Sequence, residues 1–600
     1  MKITSILFST VSLATVFAAA PDGEALYKQR CGMCHEGKGQ ARTPARDEIS
    51  SRTPEFVYKA MFEGAMMAQS AGLSAEEGRA IARYLTGKDF SASVVANVAQ
   101  CSGNPPAIRI TDTAWNGWGN DLANTRYQAK PGLTAADVPK LKLKWAFGFA
   151  GETVRSAQPT VVGGRVFVGS SSGAIYSLDA ATGCIYWNYD AGANVRTAIS
   201  IGTPAGSANY VAYFGDTRSF VHAVDAATGK GLWKVKVEDH PASRVTGAPT
   251  FYDGRLYVPV SSIEEASAML PTYECCKFRG SIVALDGATG KQIWKSYSVL
   301  DPPQPTKASA SGTQQYGPAG AAIWSAPTID AKNKVIYAAT GNSYTNVSIG
   351  TSNAILAIDM DTGSLKWSSQ VLPKDNFTMG CGRGVNCPED RGPDFDFGSS
   401  PILRELPNGK RVLICGQKSA ILWGIDPDNR GKVLWQTRLG QGSALGGIEW
   451  GSTADNEHAY AAVSDLFGLK NGAKPGGIHA VRLDTGEKVW STPAPVLTCT
   501  PGSKGCTGAQ SAAISSMPGV VFSGSVDGHF RAFSAKTGEI IWDFNSVQDY
   551  QTVNGVPGKG GSFDSAGPTI ANGMVFTNSG YGMWQGLPGN VLLAFSVDGK

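Results

Sequence analysis

One phrase recurs along most of this chain: a short β-rich run, then Asp-x-x-Thr-Gly, then a tryptophan a few residues later. The copies follow one another at roughly 40 to 70 residues, the period of repeats built from strands and turns. Self-similarity at this period predicts a β-propeller with one four-stranded sheet per copy. Four copies are complete and three are degenerate; their tryptophans are Trp187, Trp233, Trp294, Trp367, Trp435, Trp490 and Trp542.

An eighth tryptophan, Trp145, precedes the first copy, and residues 591–600 end where the next Trp strand should begin. We therefore expect the strand around Trp145 to complete the last sheet, so that both ends of the propeller close an eight-bladed ring. In each copy, glycine is expected to supply a positive φ and tryptophan to pack between neighbouring sheets. These tryptophans are thus scaffold. The content of 73 Gly and 14 Trp agrees with a turn-rich β protein.

The sequence Cys31-Gly32-Met33-Cys34-His35 is the C-x-x-C-H attachment motif of haem c. Its two thiols, Cys31 and Cys34, would bond the haem and His35 would ligate the iron. The alternative is a chance cysteine pair or half of a zinc site. A methionine often provides the second axial ligand. Met66 is the expected ligand and Met67 is the alternative.

Ser74 and Glu77 form a capping box that predicts a helix through Leu85, as in small cytochromes c. We therefore expect an all-α cytochrome c domain over residues 21–88. A linker over residues 89–106 and a propeller over residues 107–600 would follow.

The first 20 residues have the pattern of a signal peptide: Lys2, an apolar run, and Ala18-Ala19-Ala20. The run is shorter than the ~20 apolar residues of a membrane span, although an uncleaved anchor is the alternative. We predict export to the periplasm with no stable membrane span. The net charge of +4 and the lack of a basic stripe argue against a nucleic-acid partner.

Eight tryptophan motifs in an exported chain with haem c resemble the pyrroloquinoline quinone (PQQ) alcohol dehydrogenases over nearly all of the chain after residue 107. Haem ahead of the propeller is most similar to the cytochrome-type polyvinyl alcohol dehydrogenases. The resemblance implies PQQ, covalent haem c and Ca²⁺, with a lanthanide as the alternative metal. It implies alcohol oxidation, with polyvinyl alcohol as a polymeric substrate and electrons passing through the haem to an external cytochrome c. Two alternatives are the same chemistry on an aromatic, polyether or sugar alcohol, and a non-catalytic propeller scaffold.

The resemblance also assigns PQQ contacts, residue by residue. Arg196 matches an arginine that pairs with a PQQ carboxylate, and Thr246 and Ser261 match polar contacts. Trp324 matches the tryptophan on which the flat cofactor lies. Lys418 matches a lysine that donates to the quinone oxygens.

The metal and the catalytic base come from two further phrases. Glu264 matches a calcium carboxylate, with the adjacent Glu265 as the other register, and Asn342 in Thr-Gly-Asn matches an amide ligand. In Pro-Asp-Phe-Asp-Phe-Gly, Asp396 matches the base that takes the alcohol proton. In the other register Asp394 is the base and Asp396 is an additional metal ligand.

Nine cysteines remain after the haem. The vicinal pair Cys275–Cys276 matches a disulfide that caps the quinone in this family, although that pair usually belongs to an earlier blade; free thiols or other pairings are the alternative. The sequence Glu449-Trp450 falls where Asn-Trp is common, which is a departure from the family pattern. We expect the remaining cysteines to form Cys381–Cys387, Cys499–Cys506 and Cys101–Cys184, with Cys415 free.

Overall fold

The computed structural model divides into two compact units, with the boundary near residue 91. The predicted signal peptide, residues 1–20, and the alternative haem ligand Met67 lie outside the described residues. Within the described part of the chain, no helix is long and apolar enough to cross a membrane. The structure describes residues 21–36, 44–50, 52–62, 66, 69–70, 73–89, 99–103, 105–309, 312–467, 474–497, 499–500 and 502–600.

The N-terminal unit is helical in its described residues. Helix α5 (Ala75–Thr86) begins at the predicted capping box, in which Ser74 and Glu77 bond each other's backbone N–H. Helix α1 (Gly23–Arg30) packs against α5, and a Cβ on Gly23 would overlap the carbonyl of Ala80, so only glycine permits this approach. The helices are α1 (Gly23–Arg30), α2 (Gly32–His35), α3 (Arg46–Ser50), α4 (Pro54–Phe62) and α5 (Ala75–Thr86).

The described residues of the C-terminal unit form eight four-stranded antiparallel sheets, which confirms the predicted eight-bladed propeller. The strands of each blade are given from first to last. Blade 1 consists of Thr160–Val162, Arg165–Gly169, Ala174–Asp179 and Ile185–Asp190, and blade 2 of Ser200–Gly202, Val211–Gly215, Phe220–Asp225 and Gly231–Lys236. Blade 3 consists of Thr250–Tyr252, Arg255–Ser262, Ser281–Asp286 and Gln292–Tyr297, and blade 4 of Thr328–Asp330, Val335–Ala339, Ala354–Asp359 and Leu365–Gln370. Blade 5 consists of Ile402–Glu405, Arg411–Gly416, Ile421–Asp426 and Lys432–Arg438, and blade 6 of Thr453–Ala454, His458–Ala462, Ile478–Arg482 and Lys488–Thr492. Blade 7 consists of Ser515–Met517, Val520–Gly524, His529–Ser534 and Ile540–Asn545, and blade 8 of Thr569–Ala571, Met574–Ser579, Val591–Val597 and Leu141–Gly148.

The ring closes as expected. The strand Leu141–Gly148 pairs antiparallel with Val591–Val597, so the first and last strands of the propeller share blade 8. The closing strand also joins its neighbours: Trp542 Nε1 donates to the carbonyl of Leu141 over 3.1 Å, and Trp145 Nε1 donates to the carbonyl of Ala180 over 3.1 Å.

The repeated motif shapes a turn within one blade and packs that turn against the tryptophan of the preceding blade. In the first copy, Asp179 Oδ1 accepts hydrogen bonds from the N–H and hydroxyl of Thr182, which shapes the turn. Gly183 then has a φ of +77°, and a Cβ added to it would lie 3.0 Å from the Trp145 ring of the preceding blade. The glycine therefore serves both the turn and the close packing of tryptophan.

Three smaller features complete the unit. A strand at Ser243–Arg244 pairs with the second strand of blade 3. Four disulfides are present among the described residues, including the three loop pairs predicted and the vicinal pair, and Cys415 is a free buried thiol. Short elements lie between the blades: two hairpins, Gln304–Ala308 with Gln314–Gly317 and Asp549–Tyr550 with Gly558–Lys559; helix α6 (Glu264–Ser267); and 3₁₀ turns at Val138–Lys140 and Met379–Arg383.

Residues 113–128 form an irregular segment that crosses the centre of the ring. Its carbonyls accept hydrogen bonds from the first strands of blades 4, 5, 6 and 7, and it also bonds blades 1, 2 and 8. Arg126, fully buried, donates to the carbonyls of Ile514 and Trp118, to Gln158 and to Ser515. The segment therefore fixes Trp118 at the centre of the propeller.

Candidate active site

The indoles of Trp324 and Trp450 line a cavity at the centre of the propeller. Trp324 and Trp450 meet edge to face, with their ring centroids 5.2 Å apart. A Cβ on Gly398 would overlap the Trp324 ring, so the glycine of the Asp-Phe-Asp-Phe-Gly phrase lets this loop pass along the edge of the indole. Trp324, which was predicted to be the surface on which PQQ lies, is thus part of the cavity wall.

Cations surround this aromatic wall. Arg196 lines the cavity and stacks on Trp450, with its guanidinium 4.7 Å from the ring centroid. Burial lowers the pKa of Arg196, and burial together with the charge of Arg196 lowers the pKa of Arg244 to about 10. Lys418 Nζ lies 5.5 Å from the Trp324 centroid. Three cations beside an apolar surface form a setting that an anionic planar ligand would stabilise.

The two predicted aspartates both contact Lys418. Its Nζ lies 3.1 Å from Asp396 Oδ2 and 3.4 Å from Asp394 Oδ1. Asp396 Oδ1 also accepts the backbone N–H of Asn342 over 2.7 Å, so each of its oxygens accepts one hydrogen bond and keeps a lone pair for a cation. Burial, partly offset by Lys418, raises the pKa of Asp394 well above its ordinary value. Burial lowers the pKa of Lys418, but its acidic neighbours outweigh burial and hold that pKa above its usual range.

The adjacent side chains of Glu264 and Glu265 have different interactions. The fully buried Glu264 carboxylate accepts the backbone N–H groups of Lys277 and Phe278, both over 2.8 Å, and the Tyr273 hydroxyl over 2.9 Å. His240 Nε2 lies 3.3 Å from the same carboxylate. These contacts occupy the side chain that was predicted to bind calcium.

Glu265 instead belongs to the electrostatic surroundings of the central site. Its charge raises the pKa values of Asp394, Lys418 and Tyr344, although burial is the largest influence on each of the three groups. Glu265, the other register of the predicted calcium carboxylate, is thus the glutamate that acts electrostatically on the two groups Asp394 and Lys418.

Asn342 presents a free amide oxygen at the same place, because its Nδ2 donates to the carbonyls of Ser343 and Phe377. Across the described ranges, no three His, Cys, Asp or Glu side chains form a ready metal-binding cluster. The oxygen donors at hand are Glu265, Asn342 and Asp396. This all-oxygen set suits a hard cation such as Ca²⁺, which would need further oxygens from the cofactor to reach its usual six to eight ligands.

The remaining predicted contacts lie around the cavity. Thr246 lines the cavity, and its hydroxyl lies 2.5 Å from that of the buried Ser261. The disulfide Cys275–Cys276 belongs to the apolar cluster of blade 3 against which Trp324 packs. The fold thus gathers the predicted groups of blades 2 to 5, other than Glu264, around one indole.

Two functional neighbours were missed by sequence reasoning. Asp375 accepts the backbone N–H groups of Asp394 and Phe395 over 2.9 and 2.7 Å, and so fixes the loop that bears both aspartates. Trp118 lines the cavity from the central segment. No local motif marks Asp375, whereas Trp118 lies outside the Trp repeat and could have been singled out for that reason.

The polar groups of the cavity wall fit PQQ. Trp118 Nε1 and Ser325 Oγ line the cavity and have no hydrogen-bond partner among the described residues. Buried polar atoms of this kind are costly unless a ligand satisfies them. A flat tricarboxylate offers acceptors for these donors and for Arg196, and a face for Trp324.

The haem motif of the N-terminal unit is arranged for attachment. Cys31 and Cys34 are free thiols, and the Nδ1 of the buried His35 lies 2.8 Å from the carbonyl of Pro44. This bond leaves Nε2 for the iron. Met66 packs on the core of the same unit.

An eight-bladed tryptophan propeller with this cavity, joined to a C-x-x-C-H unit, defines a PQQ- and haem c-containing alcohol dehydrogenase. Family models agree: residues 18–85 match "Cytochrome C oxidase, cbb3-type, subunit III", and residues 142–446, 278–495 and 474–600 match the propeller repeats of "Outer membrane protein assembly factor BamB". A crystal structure of a quinohemoprotein alcohol dehydrogenase from Pseudomonas putida HK5 shares the fold, with a TM-score of 0.62 and 19% identity over 83% of each chain.

Two polyvinylalcohol dehydrogenases align over almost their whole length. The one from Pseudomonas sp. is 46% identical over 99% of this chain and 97% of the relative. The one from Sphingopyxis sp. (strain 113P3) is 44% identical over 96% and 93%. The chain belongs to the polyvinylalcohol dehydrogenase family. It is an enzyme of that class and not a non-catalytic scaffold.

Proposed function

We propose that this enzyme oxidises secondary alcohol groups of polyvinyl alcohol to ketones in the periplasm. The observation that carries the proposal is the convergence of two aspartates and Lys418 beside the exposed face of Trp324. The substrate follows from the names of the two relatives, and the compartment is supported by four disulfides in the described residues. We assign the haem module to residues 21–88 and the catalytic propeller to residues 107–600.

PQQ would lie on Trp324 and supply a two-electron acceptor for the hydride of the alcohol carbon. Arg196 and the hydroxyls of Thr246 and Ser261 would hold its polar edge, and Lys418 would donate to its oxygens. Cys275–Cys276 would cover it. A divalent cation on Glu265, Asn342 and Asp396 would act as a Lewis acid toward the cofactor.

We assign the base role to Asp394, the alternative to Asp396. Both oxygens of Asp396 already accept hydrogen bonds, from Asn342 and Lys418. Asp394 has one contact with Lys418, at 3.4 Å, and keeps an oxygen available for the hydroxyl proton of the alcohol. Asp375 acts as a positioning residue, because it fixes the backbone on which Asp394 lies.

Electrons would leave through the haem on Cys31 and Cys34, with His35 and Met66 as the axial ligands, and pass to an external cytochrome c. The unengaged Nε2 of His35 supports this assignment.

Dye reduction by the full-length enzyme, loaded with PQQ and Ca²⁺, tests the substrate. The panel includes polyvinyl alcohol, a short 1,3-diol with secondary hydroxyls, a primary alcohol, a benzylic alcohol, a polyether and a sugar. We expect turnover of the polymer and the diol, together with reduction of the haem band in a single turnover. Turnover confined to the benzylic alcohol, the polyether or the sugar would overturn the substrate, and turnover without haem reduction would overturn the electron route.

A further inference from the structure

Two acidic side chains directly behind the cavity wall, Glu449 beside Trp450 and Asp564 beside Ser565, have no role in the scheme above. Trp450 Nε1 donates to Asp564 Oδ1 over 2.9 Å, and Ser511 Oγ donates to Glu449 Oε2 over 3.0 Å. Arg196 stacks on Trp450 and makes no ion pair in the described part of the chain. Both carboxyl groups therefore belong to the surroundings of the cation predicted to pair with PQQ.

The same wall carries a polar atom that lacks a partner. Ser325 is buried, lines the cavity with Arg196 and Trp450, and its hydroxyl bonds no described residue. A ligand with acceptor oxygens would satisfy this hydroxyl. This part of the wall is thus built to meet the ligand.

The carboxylates around the cavity outnumber its cations. A metal ion would offset Glu265 and Asp396, and Lys418 offsets Asp394 and also acts on Glu449. Arg196 acts on both Glu449 and Asp564. A cofactor carboxylate arriving at Arg196 would meet two like charges, unless one of them is neutral. The charged groups around the cavity are three cations (Arg196, Arg244, Lys418) and five carboxylates (Glu265, Asp394, Asp396, Glu449, Asp564).

Burial favours the protonated, neutral form of one of the two carboxyl groups, Glu449 or Asp564. It raises the pKa of Glu449, although Lys418 and Arg196 oppose the rise, and it raises the pKa of Asp564, with Glu449 adding to it, to about 8. Asp396 adds to the rise at Glu449. The Tyr581 hydroxyl also faces the pair, and burial keeps it protonated. Two interacting buried carboxyls of this kind titrate as a unit.

We propose that Glu449 and Asp564 hold one proton between them, and that this protonated pair receives a carboxylate of PQQ together with Arg196. The inference rests on the proposed position of PQQ. Binding makes and breaks no covalent bond other than O–H: at neutral pH the pair keeps its proton, and at alkaline pH one proton is taken from water as PQQ binds. PQQ affinity is therefore linked to the pair's proton.

The test is PQQ binding to the full-length, haem-containing protein produced without PQQ, at fixed saturating Ca²⁺. Calorimetry in two buffers of different ionisation enthalpy measures affinity and counts protons, and neither readout depends on turnover. For the wild type we expect a steady Kd at neutral pH and a Kd that weakens about tenfold per pH unit above the pair's titration, with uptake of one proton. In Glu449→Gln, which supplies a neutral group, we expect both the alkaline weakening and the proton uptake to disappear.

Asp564→Asn is the second variant, and haem absorbance with thermal unfolding verifies that each variant is folded. The matched control is Asp465→Asn: this carboxylate is also buried, with a raised pKa, but it accepts the N–H groups of Gln441 and Gly442 outside the cavity. The control should keep the wild-type profile. Unchanged pH dependence in both variants, or an equal loss in the control, would overturn the shared proton alone. Absence of PQQ binding at every pH would overturn the position of PQQ as well.

Discussion

Replacing each of the adjacent glutamates by glutamine should separate a structural carboxylate from a metal ligand. Glu264 accepts three hydrogen bonds while fully buried, two of them from the backbone directly after Cys276. Glu265 faces Asp394, Tyr344 and Lys418 instead. The two side chains are adjacent in the sequence and both charges raise the pKa of Tyr344, whereas the charge of Glu265 also raises the pKa values of Asp394 and Lys418.

The size of the effect follows from these bonds. The less costly orientation of glutamine in Glu264→Gln places its NH₂ against the N–H of Phe278, which loses one charge-assisted bond and leaves a buried donor unsatisfied. We expect a loss of about 2 to 4 kcal/mol in the apparent free energy of unfolding. Glu265→Gln should lower that free energy by less than Glu264→Gln does and weaken Ca²⁺ binding by about 100-fold.

Denaturant unfolding followed by tryptophan fluorescence measures the first quantity, and calorimetric titration of Ca²⁺ with PQQ present measures the second. The order of the two variants is the decisive result. If Glu264→Gln weakens Ca²⁺ binding with unchanged stability while Glu265→Gln leaves Ca²⁺ binding unchanged, the metal carboxylate is Glu264 and our reasoning is refuted.

Three further outcomes are expected. Asp394→Asn should lower kcat by about 10² to 10⁴ with PQQ still bound, whereas Asp396→Asn should weaken Ca²⁺ binding; a kcat loss confined to Asp396→Asn would return the base to that residue. Gly398→Ala should displace the Trp324 ring and weaken PQQ binding by the equivalent of about 1 to 3 kcal/mol, and wild-type affinity in a folded variant would contradict the packing. Arg196→Gln should weaken PQQ binding by about tenfold or more with stability nearly unchanged, and undiminished affinity would remove Arg196 from the cofactor site.

The fold could be predicted well from the sequence because the blades repeat the same Asp-x-x-Thr-Gly and Trp motif. Asp179, Thr182 and Gly183 shape a turn through contacts within five residues, and Trp145 needs only the next blade to pack against. Counting the copies therefore gave the number of blades, and the incomplete last copy gave the closure. The loop disulfides were equally accessible, since Cys381 and Cys387 lie within one loop.

The sequence could not show which of two adjacent acidic residues enters the site. It also could not identify hydrogen-bond partners that lie far apart along the chain. Glu264 and Glu265 are chemically alike, and only the packing of helix α6 sends one carboxylate to the backbone of Phe278 and the other toward Asp394. Asp375 acts on the aspartate loop through backbone N–H groups, which leave no trace in side-chain type. Local chemistry thus fixed the blades, whereas the direction of each charged side chain depended on which groups the closed ring brought beside it.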